Sequence, residues 1–249
     1  MEHSIEKAAA MIKNAENVIA LTGAGISVES GIPDFRSAGG LWDKYDPAVY
    51  ATINSFIRMP EKVWEMLFDM VDLKMGAKPN PGHLALADLE SMGHLGAIIT
   101  QNIDNLHQEA GNRNVIEYHG NVSRLQCIKC GTLYGLDEFD LSKKVPPRCA
   151  DCDRILKPTV IFFGEAIPYD AQVRSQTLAS KADLIIVVGT SAVVYPAASI
   201  PMIAKDSGAR VIEFNIEETP LTHYLTDILV LGSAGKTLPE LVGILRRMN

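Results

Sequence analysis

Six stretches of the chain rise to an apolar centre and stop at glycine, asparagine, serine or threonine. They are "NVIALTG" (17–23), "GAIITQN" (96–102), "NVIEYHG" (114–120), "ADLIIVVGTS" (182–191), "ARVIEFN" (209–215) and "DILVLGSAG" (227–235). Strands that are apolar at successive positions, rather than alternating, bury both faces, as parallel strands covered by helices do. Between the runs lie segments of helical period; Ile5, Ala8, Ala9 and Ile12 fall on one face of a helix near the start. The pattern predicts an α/β fold with a doubly wound, mostly parallel, Rossmann-like sheet. The polar residues ending the runs then fall at the carboxyl ends of the strands, where open sheets of this kind bind ligands.

Two segments break the rhythm. Residues 37–93 contain the helical pattern "VWEMLFDMVDLKM" and no convincing strand, and residues 121–157 hold all the cysteines. Both read as insertions that together form a smaller domain, a helical module plus a zinc-ribbon module. Residues 1–36, 94–120 and 158–249 are left for the sheet domain, with a ligand cleft between the two. Trp42 and Trp64 are expected to pack inside the smaller domain. The uncharged stretch 184–204, "LIIVVGTSAVVYPAASIPMIA", is long enough to span a bilayer. Gly189, Pro196 and Pro201 instead divide it into a strand, a loop and a helix.

Composition changes this picture little. The 249 residues are 47% hydrophobic with a net charge of −7, which provides no basic field for nucleic acid or an anionic membrane. The N-terminal stretch is interrupted by charges and has no apolar signal region, so the expected location is cytoplasmic. The cysteines change it more. Cys127, Cys130, Cys149 and Cys152 form two C-x2-C pairs. Without an export signal such pairs argue for metal rather than disulfides, and four thiolates complete a tetrahedral zinc site. His119, eight positions before Cys127, is then not needed as a ligand.

The strand ends carry the remaining chemistry. Gly23 and Gly25 after the first run allow a tight turn and close approach of backbone to a pyrophosphate. Val28 stands where a dinucleotide fingerprint has its third glycine, and no acidic residue ends a second strand about 20 residues on, so that fingerprint is incomplete. Gln101, Asn102 and Asp104 follow the second run, and Thr190, Ser191 and Asn215 end two others. Three polar residues at one strand end suggest a lined pocket.

Taken in order, "GAGISVESGIPDFR", "TQNIDNLHQEAG", the His119–Gly120 pair, the two cysteine pairs, "VIFFGE", "GTS", "PAA" and "FNIEETP" resemble the sirtuins, NAD-dependent protein lysine deacylases. The resemblance covers nearly the whole chain. Val28, where Ala or Thr is more usual, and Ser37, where Gly is common, depart from it. It implies NAD as co-substrate and acetyl-lysine proteins or peptides as substrates, with release of nicotinamide and O-acetyl-ADP-ribose. His119 would be the general base and Asn102 would order the ribose and a water. Ala24, Val28, Phe35, Arg36, Gln101, Ile103, Asp104, Thr190, Ser191, Asn215, Ile216 and Ala234 would hold NAD, with Ile103 and Asp104 at the nicotinamide. Ile161, Phe163 and Gly164 would receive the acyl-lysine. The zinc would be structural. His83, His94 and His107 are expected to cap or pack helices. Family members that prefer succinyl or malonyl groups have a Tyr and an Arg three residues apart in the helical insert, a pair missing from residues 59–80 here. Met66, Leu67, Met70 and Val71 would instead favour neutral acyl groups. Competing readings are an NAD-dependent oxidoreductase, a zinc-ribbon interaction module and, on the same scaffold, a mono-ADP-ribosyltransferase or a deacylase of longer acyl groups.

Overall fold

The computed structural model describes residues 2–248; Met1 and Asn249, which the expected sheet domain includes, lie outside them. In chain order the strands are β1 (Val18–Thr22), β2 (Ala97–Thr100), β3 (Val115–Glu117), β4 (Arg124–Gln126), β5 (Leu133–Gly135), β6 (Lys157–Pro158), β7 (Leu184–Val188), β8 (Arg210–Asn215) and β9 (Ile228–Leu231). Each of the six apolar runs contributes a strand to one parallel sheet of order β3-β2-β1-β7-β8-β9.

The doubly apolar pattern has a direct structural cause. Along β1, Val18 and Ala20 enter the core on one face, while Ile19 and Leu21 enter the core on the other. Helices Glu2–Lys13, Pro81–Ser91 and Ala234–Met248 cover the first face, and Tyr169–Lys181 and Ile200–Asp206 the second. Ile5, Ala8, Ala9 and Ile12 are all buried. Full burial of each large aliphatic side chain contributes roughly 1.5–3 kcal/mol, so a polar residue on either face of these strands would forfeit that contribution. The uncharged stretch 184–204 divides into β7, a loop and two short helical segments, and no described helix is long and apolar enough to cross a membrane.

The two insertions share one core. Phe56, Trp64 and Leu67 from the helical module pack with Leu125, Leu156 and Phe162 around the small antiparallel sheet β5-β4-β6. The Trp64 indole Nε1–H donates to the Leu156 carbonyl at 2.9 Å, joining the modules. Trp42 packs at their edge against Phe35, with ring centroids 5.0 Å apart.

One boundary differs from the sequence-based expectation. Helix Pro81–Ser91 lies within the expected insert 37–93, yet it buries Ala85, Leu86 and Leu89 in the sheet domain's core. The helical module therefore ends with helix Pro60–Gly76. Amphipathic period shows that a helix has a buried face, not which core that face joins.

Sheet order reverses between β1 and β7, and the two strand ends meet there. Gly23 N–H donates to the Val188 carbonyl at 3.0 Å and Gly25 N–H to the Gly189 carbonyl at 2.8 Å. A Cβ on Gly25 would lie 2.8 Å from the Gly189 oxygen, and one on Gly189 (φ +56°) would lie 2.4 Å from the Ile26 nitrogen. Only glycine permits this approach, and it opens the crevice at the topological switch point.

Candidate active site

A cleft of about 750 Å³ opens at that switch point and runs to the small domain. Ala24, Val28, Phe35 and Arg36 line it from the turn after β1, Gln101, Asn102 and Ile103 from the end of β2, and His119 from beyond β3. Thr190, Ser191, Asn215, Ile216 and Ala234 complete the sheet side. Gln101 Nε2 donates to Thr190 Oγ1 at 3.0 Å and Asn215 Nδ2 to the Thr190 carbonyl at 3.0 Å, so β2, β7 and β8 are tied together where the cleft begins.

Asp104 is the exception among the expected NAD residues. It is buried behind the lining rather than in it. Its carboxylate accepts from Ser27 Oγ at 2.7 Å and from Leu106 N–H at 3.0 Å. Ser27 is the centre of a buried polar cluster. Asn102 Nδ2 donates to Ser27 Oγ and to the Gly23 carbonyl, both at 3.1 Å. His83 Nδ1 accepts from Asn80 N–H at 3.4 Å, which leaves its Nε2–H facing Ser27 Oγ at 3.5 Å. The serine hydroxyl thus receives from two sides and gives its single proton to Asp104.

His83 holds the capping box of helix Pro81–Ser91 with Asn80, as a capping residue should, but it also faces the cluster. Burial pulls its pKa down to about 4, against the opposing pull of the Asp104 and Glu109 carboxylates. His107, its ring centroid 5.0 Å away, is pushed down to about 3, first by burial and then by His83. Thr22 Oγ1 gives its proton to Thr100 Oγ1 at 2.9 Å and lies 2.9 Å from His107 Nε2, so Nε2 carries the proton of a neutral imidazole. Nδ1 of His107 finds no partner among the described residues. Ser27, Asn80 and His83 were not legible as site residues. Their meeting with Asp104 depends on three distant segments, and no spacing motif marks it.

His119 is placed by backbone. Its Nδ1 lies 3.1 Å from the Gln101 carbonyl, which can only accept; Nδ1 is therefore the protonated nitrogen and Nε2 keeps its lone pair for the cleft. Burial lowers its pKa, partly opposed by the bond to Gln101. Gly120 follows at φ +74°, and a Cβ there would lie 2.0 Å from the Thr159 oxygen. The His–Gly pair is thus needed for the chain to pass against residues 159–161.

The opposite wall is apolar. Ile161, Phe163 and Gly164 line it together with Met66, Leu67, Met70 and Trp42, the Trp42 and Phe163 ring centroids lying 6.5 Å apart. Val71 is buried outside the lining. The "VIFFGE" segment is an irregular turn with one parallel bridge, Thr52 to Phe163. Among the described lining residues, Arg36 is the only Lys or Arg.

The Sγ atoms of Cys127, Cys130, Cys149 and Cys152 lie within 4.8 Å of one another, with Cys130 and Cys149 3.6 Å apart. A tetrahedral site with Zn–S near 2.3 Å needs edges of about 3.8 Å, so four free thiols gathered here fit zinc. His119 is not part of the group.

A sequence model of the Sir2 family matches residues 23–196. The NAD-dependent protein deacylase of Pyrococcus abyssi (strain GE5 / Orsay) is 47% identical over 98% of this chain and 99% of its own length. A solved structure described as "Structural Basis for the Mechanism and Regulation of Sir2 Enzymes" superposes with a TM-score of 0.95 at 44% identity, covering 100% of both chains. The structure of Sir2Af2 bound to a myristoylated histone peptide superposes with a TM-score of 0.86 at 38% identity, covering 100% of this chain and 98% of that one.

Proposed function

The chain belongs to the Sir2 family, and on that premise we propose that it is an NAD-dependent protein lysine deacylase acting on acetyl-lysine. The observation that carries the reading is His119, whose free Nε2 faces a cleft with a polar strand-end wall on one side and an apolar wall on the other. The polar wall suits NAD and the apolar wall suits a neutral acyl-lysine side chain.

In this reading the acyl carbonyl oxygen bonds to C1′ of the nicotinamide ribose while the bond to nicotinamide breaks. The oxygen is a weak nucleophile, so holding it against C1′ and stabilising positive charge on the ribose supply much of the acceleration. Asn102, held by Gly23 and Ser27, orders the ribose and a water. His119 Nε2 then takes the proton of a ribose hydroxyl as that oxygen attacks the imidate carbon. Water completes the release of lysine and O-acetyl-ADP-ribose. Phe35 and Arg36 lie on the loop beside the cleft, where the ring excludes water and the guanidinium faces phosphate or ribose. Ile103 and Asp104 at the nicotinamide belong to the same proposal. Zinc on the four cysteines holds the small domain and takes no part in the chemistry.

Mass spectrometry of a reaction with NAD and an acetylated peptide tests this. Nicotinamide, free lysine peptide and O-acetyl-ADP-ribose in equal amounts are expected; NADH formation, or an unchanged peptide, would sink the proposal. A second reading, removal of longer neutral acyl chains, is favoured by Met66, Leu67 and Met70 along the wall. The same assay with a myristoylated peptide tests it.

A further inference from the structure

The wall assigned to the acyl-lysine rests on a buried charge that the reaction itself does not use. Lys157, at the end of the small sheet, is 5% exposed. Its Nζ donates to the Val160 carbonyl at 2.7 Å and to Glu165 Oε2 at 2.9 Å. The same Glu165 oxygen accepts from Phe162 N–H at 2.8 Å, and Glu165 N–H donates to the Phe162 carbonyl at 3.0 Å. The Phe162 ring centroid is 4.9 Å from Nζ. The ammonium is therefore enclosed by a carbonyl, a carboxylate and a ring that all belong to the turn 160–165.

This turn has little regular structure to hold it. Beyond the pair, Phe163 N–H bonds to the Ala51 carbonyl at 2.9 Å and the Phe163 carbonyl accepts from Ile53 N–H at 3.0 Å. Ile161 N–H donates to the carbonyl of His119 itself at 2.9 Å. Val160 and Phe162 are buried in the small-domain core at the edge of the cleft, while Ile161 and the exposed Phe163 line it. A buried ion pair is weak as a source of net stability, because desolvating both charges offsets most of their attraction. What it supplies here is direction: it closes the turn around one geometry and rejects others.

We propose that the Lys157–Glu165 pair is a positioning device that sets the shape of the turn 160–165, presenting Ile161 and Phe163 to the acyl-lysine and fixing the turn against His119. The inference rests on the deacylase reading. Lys157 is buried outside the cleft lining, while Glu165 stands at its edge with its Oε2 committed to Lys157 and to Phe162 N–H; the pair acts through the turn.

The test compares Glu165→Gln, Lys157→Met and the double variant with the wild type on an acetylated peptide, with ADP-ribose affinity measured separately by calorimetry. Each single variant is expected to lower kcat/KM for peptide by on the order of 10- to 100-fold, the scale of a 1 Å misplacement, chiefly through a raised KM. ADP-ribose affinity should stay within about 2-fold, since the turn does not belong to the sheet side of the cleft. Because the pair acts as one unit, the double variant should be no worse than the poorer single one. It also removes both buried charges, so it folds if Lys157→Met alone does not. Wild-type peptide kinetics in folded variants, equal loss of ADP-ribose affinity, or additive losses in the double variant would each overturn the proposal. A wild-type protein that leaves the peptide untouched would instead overturn the deacylase reading.

Discussion

Ser27 donates its only proton to Asp104 across 2.7 Å while accepting from Asn102 at 3.1 Å. The hydroxyl thereby aligns a carboxylate behind the cleft with an amide in its wall. Ser27→Ala leaves a buried carboxylate oxygen and an amide N–H short of one partner each, a cost of roughly 1–3 kcal/mol per group. Its kcat/KM is expected to fall at least 10-fold while the small-domain core is unaffected. Asp104→Asn replaces an acceptor by a donor toward Ser27 and should weaken nicotinamide inhibition and base exchange in particular. Unchanged base exchange in a folded Asp104→Asn protein would remove Asp104 from nicotinamide recognition.

His119→Ala should lower turnover by on the order of 10² to 10⁴, the range for a general base, while leaving ADP-ribose binding largely intact. The pH profile carries a sign. The base must be neutral, and burial holds the His119 pKa below the usual 6.5. The acid limb of kcat/KM in the wild type should therefore lie below that value. A limb centred above pH 7 would assign the titrating group to another residue.

His83 and His107 make folding sensitive to acid. Both are neutral in the folded protein, with pKa values of about 4 and about 3 against 6.5 in the unfolded chain. Between those limits the unfolded state binds more protons, so stability is full above pH 6.5 and is lost as pH falls toward the folded values. The loss is on the order of 3 kcal/mol for His83 and about 5 kcal/mol for His107 at full protonation. Urea midpoints should drop between pH 7 and pH 5, and less so in His107→Gln, where one of the two titrations is gone. A midpoint that is flat over that interval would show that neither imidazole is desolvated.

Metal is expected at about one zinc per chain. Removing it with a chelator, or replacing Cys149 by Ala, should lower the melting temperature and loosen the small domain, because four gathered thiols repel once deprotonated without a cation. Circular dichroism and metal analysis check this without an activity assay. Much less than one zinc in a folded protein would refute the assignment.

What the residues disclosed in advance depends on how local the cause is. The six strands were legible because a parallel strand must be apolar on both faces, and that demand is written residue by residue, as in Val18–Thr22. The four cysteines were legible because tetrahedral ligation requires paired spacing. Helix Pro81–Ser91, which the pattern places in the insert, buries its apolar face against the parallel sheet, because periodicity shows a buried face and not its partner. Ser27 and His83 were missed for the same reason: they meet Asp104 only once helices and strand ends from three segments are packed. No local pattern around Lys157 and Glu165 marks them as a buried pair, since the turn between them brings them together.

The remaining prediction concerns which acyl group leaves. A succinyl or malonyl carboxylate entering the cleft loses hydration and must regain a cation and hydrogen-bond donors. Of the described residues that line the cleft, only Arg36 is a lysine or arginine, and it stands on the loop beside the polar wall. The acyl side offers Met66, Leu67, Met70 and Trp42. The lysines of the helical module are engaged elsewhere: Lys44 pairs with Asp69, Lys74 pairs with Glu109 at 2.7 Å and Lys62 lies over the Tyr50 ring. An anionic acyl group would thus be desolvated without compensation, while acetyl and longer neutral chains lose nothing polar at their ends. Acetyl-lysine is expected to exceed succinyl-lysine in kcat/KM by at least 10-fold on the same peptide, the equivalent of about 1.4 kcal/mol. Met70→Arg, which adds a guanidinium to the apolar wall, should narrow that ratio by raising succinyl turnover and lowering acetyl turnover. Wild-type succinyl activity equal to acetyl would mean that Arg36 reaches the acyl end, and Arg36→Ala would then abolish the succinyl reaction selectively.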